Sequence, residues 1–279
     1  MNNILIPALT GPSATSVLQW KNRLTDADKQ WRTGDSAKTL AHAWQEANGF
    51  PAEVHAVLRS SPHFRDIEML LAIPEHQVPF PGGARPSQND VWVLARAEGS
   101  LVSIAVEGNV PLQDLRAESF GPTMQEWLRD DSREKRDRMA FLAAQLDLPT
   151  PLPAGIRYQL VHRTASAVIE AARFNAAHAV MLVHSFGDHN ELFQEFREFV
   201  AMFGCAASPN TVLSVWMRLG VSLHFAWVTG DTRYREKRSQ AGSLRENTTP
   251  QESYPSGAFA SYSIPPRAYV NLEIEEKTG

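Results

Sequence analysis

The chain has 279 residues, 43% of them hydrophobic, which suffices for one large folded domain or two small ones. A formal net charge of −4 argues against a protein that coats nucleic acid without regard to sequence. The single cysteine, Cys205, excludes an intrachain disulfide or a cysteine-rich zinc site. No stretch approaches the roughly 20 apolar residues of a transmembrane helix, and residues 1–13 lack the pattern of a secretory signal. We therefore expect a cytoplasmic protein without a membrane partner.

The first predicted elements are an N-terminal arm over residues 1–35 and two helices. Asp35 and Ser36 favour a helix start, and apolar residues at helical spacing follow from Leu40 onward. A second, shorter helix is predicted over residues 52–60, after the break at Gly49 and Pro51.

Three strands are predicted next, because the helical periodicity gives way to short apolar runs. Residues 66–74 form a nearly continuous apolar run that is typical of a buried strand. Residues 90–95 and 101–106 are two further β-rich runs, and the short turn at Glu98 and Gly99 between them indicates a hairpin.

The second half alternates helices with strands. Helices are predicted over residues 121–128, 131–148, 157–174 and 190–203, and strands over residues 179–186 and 221–228. Strands separated by helices favour parallel pairing, and the hairpin adds an antiparallel part. We therefore expect one α/β domain over residues 36–231, with a mixed central sheet flanked by helices. Residues 232–279 are predicted to be an extended tail, partly irregular, with a strand over 268–275.

Two carboxylates stand out at the predicted hairpin. Asp90 begins one predicted strand and Glu107 follows the next, so pairing around the turn brings both to the same end of neighbouring strands. Adjacent carboxylates with open sides are suited to a hard divalent cation such as Mg²⁺. Glu75, at the end of the preceding predicted strand, is a candidate third oxygen ligand.

The order of these elements resembles a known superfamily. A helix followed by three strands, with Asp in the second and Glu at the third, resembles the restriction-endonuclease-like PD-(D/E)XK nucleases, over roughly residues 36–183. The strings GGARPSQND, VEGNV, FGPTMQEW and RYQLVHRTASAVIEA are similar to an uncharacterised bacterial family. The resemblance implies a restriction-endonuclease-like core, DNA as partner and Mg²⁺ (or Mn²⁺) bound by Asp90 and Glu107. It also implies that Gln159, on a following helix, supports the site.

Asn109 departs from the superfamily pattern, which has Lys at this position. A neutral amide cannot offset developing negative charge, and the loss of one preorganised stabilising group costs about 3 kcal/mol. Two features could compensate for the missing positive charge. A cation such as Lys135 or Arg116 reaches the site, or the amide of Asn109 positions water and supports slow cleavage.

Three functions follow from these residues. The first is metal-dependent hydrolysis of DNA phosphodiesters, weakened by Asn109. The second is a catalytically inactive nuclease-fold module for binding or interaction, and the third is a phosphoester hydrolase acting on nucleotides. Each site residue also has a purely structural interpretation: Asp90 as a strand-edge cap, Glu75 as a solvated loop residue, and Gln159 and His162 as polar groups on a helix surface.

Other surfaces offer candidate contacts with partners. Residues 129–138 carry both positively and negatively charged side chains, which is typical of a solvated, salt-bridged helix. Its alternative is a face contacting phosphates, through Arg133, Lys135, Arg136 and Arg138, and the run over 233–238 has the same two interpretations. For a homodimer, the candidate surfaces are the C-terminal tail and the aromatic helix over residues 190–203.

Overall fold

The computed structural model describes residues 3–4, 17–21, 24, 31, 36–83, 85–110, 120–130, 132–187, 190–216 and 220–236. The helices are α1 (Val17–Lys21), α2 (Ser36–Ala47), α3 (Ala52–Ser60), α4 (Met124–Trp127), α5 (Arg133–Gln145), α6 (Tyr158–Arg173) and α7 (Asn190–Ala201). The strands are β1 (Asn3–Ile4), β2 (Glu68–Val78), β3 (Ser87–Ala97), β4 (Ser100–Asn109), β5 (His178–Ser185), β6 (Val212–Trp216) and β7 (Ser222–Thr229).

The strands form one mixed sheet in the order β1-β2-β3-β4-β5-β7-β6, and the described part of β1 is Asn3–Ile4. Strand β3 is antiparallel to both β2 and β4, and β1 runs parallel to β2. Strands β4, β5 and β7 run parallel to one another. Strand β6 closes the far edge, antiparallel to β7. The predicted α/β class and mixed central sheet flanked by helices are therefore confirmed.

Two apolar layers cover the sheet, because alternate side chains of each strand point to opposite faces. On one face, side chains such as Met181 and Phe225 pack against helices α5, α6 and α7. On the other face, side chains such as Ile104 and Leu182 pack against helices α2 and α3. The parallel strands are apolar on both faces for this reason.

The structure departs from the predicted elements mainly in the strands. Strands β1 and β6 were not predicted. Strand β2 continues through Pro74 to Val78, and β3 begins at Ser87, so both are longer than predicted. Glu75 therefore lies within β2 and Asp90 within β3, which corrects the prediction that they mark a strand end and a strand start.

The predicted arm and tail fall mostly outside the described residues. Chain contacts divide the protein into residues 1–237 and 238–279, and the second unit, with the strand predicted over 268–275, is outside the described part. Of the tail, the structure describes a 3-10 helix, Thr232–Glu236.

Two aromatic side chains of helix α7 are buried inside the domain. Phe196 and Phe199 are buried and pack against Trp227 and Phe225, respectively. Core packing thus accounts for much of the aromatic stripe, and a homodimer through this helix stays a prediction.

Candidate functional site

The hairpin of β3 and β4 places Asp90 beside Glu107. Val91 of β3 pairs with Val106 of the antiparallel β4. The next residues toward the open end of the hairpin, Asp90 and Glu107, therefore lie opposite each other. The backbone N–H of Gly108 donates to Asp90 Oδ2 at 2.8 Å. The two carboxylates that the sequence singled out are therefore neighbours.

Glu75 joins this pair from β2. Its neighbours Pro74 and His76 pair with the residues on either side of Asp90, so Glu75 lies opposite Asp90. Glu75 has a φ of 56°, a left-handed conformation that is uncommon for a residue other than Gly. Gln88 Nε2 donates to Glu75 Oε2 at 2.5 Å. Glu75, Asp90 and Glu107 thus form a row across three adjacent strands, the acidic row.

Helix α6 crosses this row and supplies two polar side chains to it. Gln159 and Arg163 are four residues apart, so they lie on the same face of the helix. Gln159 Nε2 donates to Glu107 Oε1, and Arg163 Nε donates to Glu107 Oε2 at 2.6 Å. Arg163 Nη2 lies 3.6 Å from Asp90 Oδ1. One buried guanidinium therefore links two of the three carboxylates.

Burial and the charges of this cluster shift the pKa values of its members. Burial, and then the negative charge of Asp90, raise the pKa of Glu75 to about 8. Burial also raises the pKa of Asp90, against the opposing effects of Arg163 and the Gly108 N–H. Burial alone would lower the pKa of Arg163, but the carboxylates of Glu107 and Asp90 raise it. Near neutral pH the guanidinium is charged and Glu75 favours its protonated form.

A hard cation prefers oxygen ligands such as these carboxylates. Among the described residues, however, no group of three or more His, Cys, Asp or Glu side chains stands arranged to hold a metal ion. Both oxygens of Glu107 already accept hydrogen bonds, from Gln159 and Arg163. A divalent cation bound to Glu107 would compete with the Arg163 guanidinium for this carboxylate.

The structure also locates the residues considered for the missing Lys. Asn109 is 4% exposed, and its Oδ1 has no hydrogen-bond partner within the described part of the chain. Lys135 donates to Asp130 Oδ1 and to the Trp127 carbonyl, both at 2.6 Å, and so is engaged elsewhere. Arg116 lies outside the described residues. Within the part of the chain that the structure describes, Arg163 is the cation that contacts Glu107 and lies close to Asp90, and the sequence did not predict it.

The basic residues proposed to contact phosphates are mostly engaged within the chain. Arg138 is buried and donates to the carbonyls of Pro81, Gly83 and Arg85. Arg133 forms an exposed ion pair with Asp137. For Arg138, the structure thus shows a role in holding the loop between β2 and β3.

His162 faces Ser87 instead of the acidic row. Its Nδ1 lies 2.7 Å from Ser87 Oγ, which in turn accepts a hydrogen bond from Ser166 Oγ. These contacts place His162 between helix α6 and strand β3, and not at the helix surface of its predicted structural interpretation.

The fold and the site define an α/β protein whose central sheet carries a carboxylate–guanidinium cluster beneath a crossover helix. The chain belongs to the family described as a domain of unknown function (DUF6946), whose model matches residues 13–232. The match includes the acidic row and helix α6. No curated protein matches the chain, and no solved structure matches it. No helix within the described ranges is long and apolar enough to cross a membrane.

Proposed function

We propose that this protein is a PD-(D/E)XK nuclease-like hydrolase that cleaves DNA phosphodiesters with Mg²⁺ or Mn²⁺ held by the acidic row. The order of elements supports a restriction-endonuclease-like core: helix α2 or α3, the antiparallel strands β2, β3 and β4, the crossover helix α6, and the parallel strand β5. The contact of Gln159 with Glu107 also agrees with the role that the resemblance gives to a Gln on the following helix.

The observation that carries the proposal is the acidic row itself, three carboxylates side by side on β2, β3 and β4 with one guanidinium beside them. The Arg163 guanidinium contacts Glu107 and lies close to Asp90, which are the two proposed metal ligands. Arg keeps its charge at all relevant pH values and offers several donors in a fixed plane. Arg163 would therefore provide the positive charge that Asn109 lacks and stabilise negative charge developing on a bound phosphate.

The other residues have supporting roles in this proposal. Gln159 holds the orientation of the Glu107 carboxylate, and the Gly108 N–H holds that of Asp90. Glu75 lies next to Asp90 and assists as a third oxygen ligand. A divalent cation in such a site polarises a phosphate and lowers the pKa of bound water. The choice of DNA as substrate rests on the resemblance alone.

The test is a cleavage assay with plasmid DNA, single-stranded DNA and free nucleotides in Mg²⁺ or Mn²⁺. We expect the wild type to cut DNA, and Asp90→Asn and Glu107→Gln each to lose at least about a hundredfold in rate, as when one preorganised charged group is removed. Glu68→Gln is the matched control, because Glu68 pairs with Arg96 at an exposed site. DNA left intact by the wild type, or cut equally by all variants, would overturn the proposal. Cleavage of nucleotides alone would make the protein a nucleotide phosphoester hydrolase.

A second candidate function is a catalytically inactive module for binding. The observation in its favour is that Gln159 and Arg163 occupy both oxygens of Glu107. This function predicts no heat of Mg²⁺ binding in isothermal titration and no cleavage by the wild type. It also predicts that Asn109→Lys stays inactive, whereas a gain of cleavage in that variant would show a nuclease scaffold that lacks one part.

A further inference from the structure

A second cluster of polar side chains lies on the other face of the sheet. His178 and His224 stand on the neighbouring parallel strands β5 and β7, where Val180 pairs with His224. They share the face of Val180, which packs toward helices α2 and α3. His63 approaches from the segment that follows α3. We call His63, His178 and His224 the histidine cluster.

This cluster is separate from the acidic row. Glu107 pairs with Val183 on β5, five positions along that strand from His178. At the rise of a β-strand this is about 16 Å. The two groups also lie on opposite faces of the sheet, since Val183 packs with helices α5 to α7.

The rings of the cluster stand at the separations expected around one metal ion. His178 Nδ1 and His224 Nε2 are 3.0 Å apart. The ring centroids are 5.1 Å apart for His178 and His224, 5.2 Å for His63 and His224, and 5.6 Å for His63 and His178. Three imidazoles bound to one tetrahedral Zn²⁺ at ordinary Zn–N distances have centroids roughly 5 Å apart.

The surroundings of His224 suit a metal ligand. Ser214 Oγ lies 2.9 Å from His224 Nδ1. If Nδ1–H donates to this hydroxyl, Nε2 is left unprotonated with its lone pair toward His178. A partner that fixes the tautomer and orientation in this way is the usual outer support of a metal-bound His. The Phe64 ring packs edge-on against His224 at a centroid distance of 4.7 Å and closes the inner side of the cluster.

We propose that His63, His178 and His224 bind a divalent transition metal of the Zn²⁺ type. As the side chains stand, no three in the described part of the chain are arranged to hold an ion, and His178 and His224 share a hydrogen bond instead. The metal replaces the proton between these two rings. A half-turn of the exposed His63 ring about its Cβ–Cγ bond exchanges ring carbons and nitrogens without moving the outline of the ring.

The test is isothermal titration of ZnCl₂ into the full chain, together with the visible spectrum of the Co²⁺-loaded protein. We expect one ion per chain and the absorption of tetrahedral Co²⁺. His224→Gln and His63→Ala should each weaken Zn²⁺ binding by at least about tenfold, since even an outer partner of a zinc ligand is worth that much. His63→Ala is the safer variant for folding, because His63 is exposed.

His55→Gln is the matched control, because His55 stacks on Phe50 away from the cluster. Asp90→Asn should leave Zn²⁺ affinity unchanged, so the outcome does not depend on the proposed nuclease function. The proposal would be overturned if the wild type did not bind Zn²⁺. It would also be overturned if His63→Ala and His224→Gln bound Zn²⁺ as tightly as the wild type.

Discussion

Arg163 is the residue on which the acidic row depends for its stability. Its side chain is 9% exposed and that of Glu107 is 8% exposed, so little water is available to replace a lost partner. Removing one member of a buried ion pair leaves an uncompensated charge and costs about 3–5 kcal/mol. We expect Arg163→Met to lower the free energy of unfolding in urea by about this amount.

A surface pair gives the control for that measurement. Arg96 and Glu68 contact each other at 2.9 Å, but both side chains are 58% exposed. Exposed ion pairs contribute about 0–1 kcal/mol, so Arg96→Met should change the free energy of unfolding by no more than this. Equal effects of Arg163→Met and Arg96→Met would show that the Arg163 guanidinium contributes no more to the free energy of unfolding than an exposed ion pair does.

His162 should make the stability depend on pH. Burial, and then the positive charges of Arg163 and Arg138, hold the pKa of His162 well below its usual value in the folded protein. The unfolded chain therefore takes up a proton at this His first as pH falls, and the folded state loses stability below the usual pKa of His. From about pH 7.5 to 5.5, the wild type should lose roughly 1 kcal/mol more than His162→Gln.

The measurement is urea unfolding of both proteins across this pH range. His162→Gln keeps a polar group beside Ser87 Oγ, which His162 Nδ1 contacts at 2.7 Å. The two proteins should therefore have similar free energies of unfolding above pH 7.5. They should differ in how steeply this free energy falls as the pH is lowered. Parallel stability curves would mean that His162 titrates equally in the folded and unfolded states.

The sequence could predict only part of the site. Asp90 and Glu107 were predicted as neighbours because the register of a tight hairpin follows from the position of its turn. The contact of Arg163 with them was not predicted, although Arg163 follows Gln159 by four residues on helix α6. Which residues of a crossover helix contact a strand depends on tertiary packing, and this packing cannot be deduced from the spacing of residues in the sequence.

At the scale of the elements, buried strands and amphipathic helices were predictable and the sheet edges were not. Strand β6 (Val212–Trp216) pairs with β7 and is mostly apolar, but it is only five residues long. So short an apolar run does not distinguish a strand from part of a helix. The predicted strand ends at Pro74, a residue that cannot donate a ladder hydrogen bond. In strand β2, Pro74 lies beyond Leu71 and Ala72, which pair with the described residues of β1. Glu75 then takes a left-handed conformation, and pairing resumes at His76.

At the scale of the whole molecule, the two apolar layers share one sheet and should therefore unfold together. Leu58 on helix α3 is fully buried on one face, and Phe225 on β7 is fully buried on the other. Strand β7 contributes to both layers, since its alternate residues point to opposite faces. Neither layer retains its packing surface if the sheet comes apart.

We therefore expect Leu58→Ala and Phe225→Ala each to lower the stability of the same cooperative transition. Such truncations in a packed core cost about 2–5 kcal/mol, through lost burial and the cavity left behind. Urea unfolding followed by tryptophan fluorescence and by far-ultraviolet circular dichroism should give coincident curves for both variants, with lowered midpoints and unchanged slopes. If Leu58→Ala separated the two curves, helices α2 and α3 would unfold independently of the sheet. The histidine cluster would then lose His63 before the acidic row lost its shape.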